Sequence, residues 1–179
     1  MRTLLISLAS AVTVTLITSL SGCTYYDSQL CTSDRLVDLP QFAGHYEIMQ
    51  DGDDAPEVLE ILPVSPGVFK PLNDGSAPES IMRTCMIDGK LSMENQTGTV
   101  FELFGLSVSN EETLLTRTDL DPALIESGRV PGECKTEEVT HITYCTVANS
   151  RMRTPGEMTQ WLQPEGEAIH LKRDLPPSL

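Results

Sequence analysis

The side chains here that could do chemistry are three histidines, five cysteines and 26 carboxylates. His45, His141 and His170 would supply three imidazoles to a zinc ion if the fold brought their segments together. No two of them stand at the short spacing that places ligands on one turn or strand, so separate surface imidazoles are expected. Cys134, His141 and Cys145 could also suggest zinc, but in an exported chain a disulfide is the better reading. Asp51, Asp53, Asp54 and Glu57 are oxygen donors of the kind calcium takes. They lack the twelve-residue loop with its central Gly and closing Glu, which leaves a solvated acidic turn. Gly105-Leu106-Ser107-Val108-Ser109 has Ser where a nucleophile elbow needs its second Gly, and it reads as strand rather than as a strand-to-helix turn. No phosphate-cradling or dinucleotide glycine loop occurs. Asn95-Gln96-Thr97 has the form of a glycosylation sequon, which carries little weight in a bacterial envelope protein. The sequence therefore assigns no catalytic residue, metal or cofactor.

The elements that would position these residues are short. Strands are predicted at Phe42–Met49, Glu57–Val64, Gly67–Lys70, Ser80–Ile87, Lys90–Glu94, Gly98–Ser109, Thr113–Leu120 and Thr136–Asn149. Glu157–Gln163 and Glu167–Lys172 are expected to form a last hairpin across Pro164-Glu165-Gly166. Asp88-Gly89 between two strand-like runs predicts a type I′ turn. Asp121-Pro122, with Gly128 beyond, predicts one short helix with an Asp cap and Pro in its first turn. Seven to nine strands at this spacing give a mostly β fold, a single antiparallel β-barrel or sandwich with at most one or two short helices. It would occupy residues 39–175, with 176–179 frayed.

The 179 residues carry 12 Lys and Arg against 26 Asp and Glu, a formal net charge of −14. Phosphate neutralisation needs clustered cations, so nucleic acid is excluded as a partner. Met1-Arg2 followed by an uncharged run from Thr3 to Leu20 has the form of an export signal. The run ends on Leu20-Ser21-Gly22-Cys23. In this the chain resembles bacterial lipoprotein precursors, whose lipobox is a Leu, two small residues and a Cys. The resemblance covers these 23 residues and implies removal of residues 1–22, lipidation of Cys23 and attachment to the cell envelope. Thr24, where an inner-membrane retention signal would place Asp, points to the outer membrane. The domain would then lie in the periplasm or at the cell surface.

Residues 23–38 are expected to be the lipidated Cys and a polar tether, with Tyr25 and Tyr26 beside the headgroups. Four cysteines remain for disulfides, with three possible connectivities. Cys134 with Cys145 is the preferred pair, which leaves Cys31 to clip the tether onto the domain through Cys85. Near the domain start, Gly44-His45-Tyr46 resembles the Gly-x-Trp opening of lipocalin-type barrels, with Tyr in place of Trp.

Three functions follow as expectations. The first is a non-enzymatic envelope binding module, its acidic surface suited to a basic protein partner. The second is a carrier or sensor of a small apolar ligand, in a lipocalin-like barrel lined by Phe101, Leu103, Tyr144 and Trp161. The third is a hydrolase using scattered histidines and carboxylates.

Overall fold

The computed structural model describes residues 23–49, 57–73, 80–109, 112–138, 143–152 and 162–173. Its strands are β1 (Cys23–Tyr26), β2 (Gly44–Met49), β3 (Glu57–Ser65), β4 (Val68–Asn73), β5 (Ser80–Ile87) and β6 (Lys90–Thr97). They continue as β7 (Val100–Val108), β8 (Glu112–Leu120), β9 (Gly132–Thr136), β10 (Thr143–Val147) and β11 (Leu162–Arg173), with one helix, α1 (Pro122–Glu126). Strands β2 to β8 pair in sequence, and β11 joins β8 back to β2. The result is a closed eight-stranded antiparallel β-barrel. Closure removes the exposed strand edges that an open sheet of this size would have to protect.

Local chemistry explains the turns. Asp88 and Gly89 have φ of 47° and 75°, the paired positive values of the expected I′ hairpin between β5 and β6. Asp121 accepts from the Ala123 amide at 2.9 Å and so caps α1, with Pro122 in the first turn. Two of the expected strand boundaries are corrected. The last segment is one strand, β11, which pairs with β8 on both sides of a register shift between Pro164 and Ala168. Pro164-Glu165-Gly166 thus makes a bulge, because a Pro that cannot donate is absorbed there without reversing the chain. Conversely, residues 136–149 are not one strand. Thr136 ends β9 and Thr143 begins β10, so the chain turns back between them.

The described residues form two apolar cores, and the period-2 alternation of the barrel wall divides them. Inside the barrel lie Tyr46, Phe69, Met82, Met93, Phe104 and Leu171, among others. Outside it, Leu103, Cys85 and Ile87 of the wall meet Tyr26, Leu30, Ile125 and Val147. Strand β7 serves both, with Phe104 and Leu106 inward and Phe101 and Leu103 outward. The predicted lining of the interior is therefore corrected. Phe101 and Leu103 belong to the outer core, Tyr144 stacks on Tyr25 away from the barrel, and Trp161 lies outside the described residues. A strand apolar on both faces gives no signal of which face is the inner one.

Tyr46 occupies the position that the lipocalin resemblance gives to Trp. It is 1% exposed and donates its hydroxyl to the Phe42 carbonyl at 2.9 Å. The Arg173 guanidinium, on the last strand, sits 5.7 Å from its ring centroid. The same Arg reaches the Gln41 carbonyl, so the first and last strands of the barrel are locked to the 3₁₀ turn Pro40–Phe42.

The stretch expected to be a polar tether is packed against the barrel. Tyr26, Leu30 and Cys31 are buried, the Val37 amide donates to the Thr84 carbonyl, and Leu36 bridges Cys85. Cys31 is bonded to Cys85 as anticipated. Strand β1 runs parallel to β10, which pairs antiparallel with β9, so these three strands form a ledge on the barrel wall. Cys134 and Cys145 face each other in register with Cα atoms 4.1 Å apart and are disulfide-bonded, the hairpin form of the expected cross-link.

Candidate functional site

Cys23 is the first residue of β1, and its register partner is Tyr144. The strand alternates beyond it. Thr24 and Tyr26 are buried toward the barrel, while Tyr25 stacks on Tyr144 with ring centroids 6.3 Å apart. The Thr24 hydroxyl accepts from the Leu120 amide at 3.0 Å, which ties β1 to the end of β8. Of the two tyrosines expected at headgroup level, Tyr26 is instead part of the outer core.

A groove of about 710 Å³ opens between β1 and the β6–β7 turn. Tyr25, Thr97, Thr99 and Thr146 bring hydroxyl-bearing side chains to it, the buried Tyr26 forms part of its wall, Asp27 and Glu102 bring carboxylates, and no Lys or Arg is among its described lining. Both carboxylates are held in place. Asp27 accepts from the Ser150 amide at 3.2 Å and its hydroxyl at 2.8 Å. Glu102 points into the barrel mouth, where it accepts from Asn95 Nδ2 at 3.2 Å and pairs with Arg117 at 3.4 Å. Asn95, the sequon residue, is thus committed to an internal bond, and its buried Oδ1 has no hydrogen-bond partner among the described residues.

Glu94 is the one buried carboxylate among the described residues, and sequence reasoning missed it. It is wholly buried in the wall between β5 and β7. Its Oε2 accepts from the amides of Leu30 and Cys31, and its Oε1 lies 3.4 Å from Arg83 Nη1. Burial raises its pKa above the ordinary carboxylate value, against the opposing pull of the two amides and Arg83. The arrangement closes the N-terminal segment over the wall and presents no carboxyl oxygen to a substrate.

The remaining candidates do not converge. His45 lies 3.5 Å from Glu60, and His170 lies 2.6 Å from Glu112, each on the exposed outer wall. His141 and the Asp51–Asp54 turn lie outside the described residues. Among the described residues no three His, Cys, Asp or Glu side chains are placed to hold a metal ion. Ser107 is exposed on β7, within a strand as the sequence indicated. No helix among the described residues is long and apolar enough to cross a membrane.

Comparison with protein-family models, with curated proteins and with solved structures finds no match for this chain. The reading of the site rests on its own residues. The groove was not legible beforehand because its walls come from segments distant in sequence, the stretch 25–27, residues 97–102 around the β6–β7 turn, and Thr146. Only the Tyr25-Tyr26-Asp27 run beside Cys23 gave any local hint.

Proposed function

We propose that this chain is a lipid-anchored envelope protein, acylated at Cys23 after removal of residues 1–22. Its β-barrel then serves as a non-enzymatic binding module. The observation that carries the binding reading is the groove beside β1, where Asp27 and the Arg117-paired Glu102 meet the hydroxyl-bearing side chains of Tyr25, Thr97, Thr99 and Thr146. Such a lining suits a cationic, hydrogen-bond-donating surface, and the overall charge of −14 would steer a basic protein toward it. Among the described residues, His45 and His170 each pair with a carboxylate on the exposed outer wall and Glu94 is bound to two backbone amides, which favours binding over hydrolysis. The Leu-Ser-Gly-Cys end is the support for the anchor, with the outer membrane as the preferred location.

Capture of envelope proteins on the immobilised domain tests the groove. A basic partner retained at low salt and released at high salt is expected. Asp27→Asn with Glu102→Gln should weaken its retention by roughly two- to thirtyfold, since partly exposed charges contribute ~0.2–1 kcal/mol each. Capture that ignores both salt and these substitutions would remove the groove from the account.

The apolar-carrier alternative draws on the closure of eight strands, a size that can hold one small ligand. Against it, Phe69, Met82, Met93 and Phe104 occupy the interior. Native mass spectrometry of domain purified from envelope is expected to show the bare polypeptide mass after the covalent lipid is accounted for.

A further inference from the structure

We propose that the outer face of the β1–β10–β9 ledge is a membrane-docking face, which lies against the bilayer that holds the lipid on Cys23. The inference rests on the reading of Cys23 above and adds an orientation to it. A lipoprotein with a long tether would leave its domain free to tumble. Here Cys23 is already the first residue of β1, paired in register with Tyr144, and Thr24 is buried against the barrel. No free residue separates the anchor from the folded sheet, so the ledge must stay within one side chain and a headgroup of the surface.

The chemistry of that face fits the position. The two stacked tyrosines, Tyr25 and Tyr144, present amphipathic rings of the kind enriched where hydrocarbon meets water. Lys135 stands opposite Tyr144 in the β9–β10 register and is exposed, and Arg151 is exposed beside it. Both line a pocket of about 320 Å³ together with Tyr144 and Thr146, large enough to admit the phosphate of a phospholipid headgroup. The same pocket has Asp27 and Glu133 on its wall, with both oxygens of Asp27 turned to Ser150. Two cations and two carboxylates leave the pocket near neutral on a chain of net charge −14. Its two cations offer an anionic headgroup a partner, and because Asp27 and Thr146 also line the groove described above, a partner bound there would be held at the edge of the bilayer. The opposite wall differs in kind. Strand β3 is four strands from β7 around the ring, and its exposed Val58, Leu62 and Val64 face away from the ledge.

The test uses the full acylated protein in phosphatidylethanolamine–phosphatidylglycerol vesicles, with photoreactive benzoylphenylalanine placed either at Thr146 or at Val64. Phospholipid adducts read by mass should be at least fivefold more abundant from position 146. Lys135→Glu with Arg151→Glu should cut that yield at least twofold and leave position 64 unchanged. Equal yields from the two positions in acylated protein would overturn the docking face while leaving the lipid anchor standing. Protein that carries no acyl chain on Cys23 would overturn both readings.

Discussion

Glu94→Ala is expected to destabilise the domain by about 3–5 kcal/mol, a large share of what a domain of this size has. The substitution leaves the Leu30 and Cys31 amides without their acceptor, in a place where Glu94 is wholly buried. It also strips the nearby Arg83, whose side chain is 14% exposed, of its carboxylate. Glu94→Gln keeps an oxygen for the amides and should lose less. The pH dependence separates charge from packing. Burial raises the folded pKa of Glu94, so the native state holds this proton more tightly than the unfolded chain does. The stability tied to that proton is present below the ordinary glutamate range and is lost as pH rises through the raised value. Denaturant unfolding from acid to neutral pH should show this decline in the parent relative to Glu94→Gln. Parallel curves for the two proteins would mean that the carboxylate titrates normally.

Cys31→Ser with Cys85→Ser should cost about 4 kcal/mol on the chain-entropy model, because the bond closes a loop spanning 54 residues. For a chain of this length that corresponds to roughly 8–16 °C in melting temperature. The shorter Cys134–Cys145 link spans 11 residues and should contribute less, about 3 kcal/mol. Thermal melts of the two double variants give the order directly. The reverse order would mean that the N-terminal segment is held by its amides and the outer core without need of the covalent clip.

Local rules served where the chemistry is local. Asp88-Gly89 makes its I′ turn and Asp121 caps its helix because each requires only its immediate neighbours. The mostly β class followed from many short strand-like runs between turn residues, and barrel closure is one of its two solutions. What was not legible depends on which face of the wall is covered. Phe101 and Leu103 read like lining residues, yet the ledge and α1 give the barrel a second core on that side. The same ledge turns a stretch with few apolar residues into a packed segment, since Tyr26, Leu30 and Cys31 suffice when a finished wall is waiting for them. Glu94 could not be singled out among 26 acids, because its burial comes from amides 63 and 64 residues away in sequence.

The central claim is the lipid on Cys23, from which the location, the fixed ledge and the role of a tethered binding module all follow. Metabolic labelling with an alkyne fatty acid, comparing the parent chain with Cys23→Ser, tests it most directly. Only Cys23 follows the small-residue cleavage site, so the parent should be labelled and processed to a mature chain of 157 residues, the 179 less the 22 removed. Cys23→Ser should remain unlabelled and unprocessed, whereas Cys85→Ser should keep its label. A parent chain without label, or label that persists in Cys23→Ser, would contradict the account.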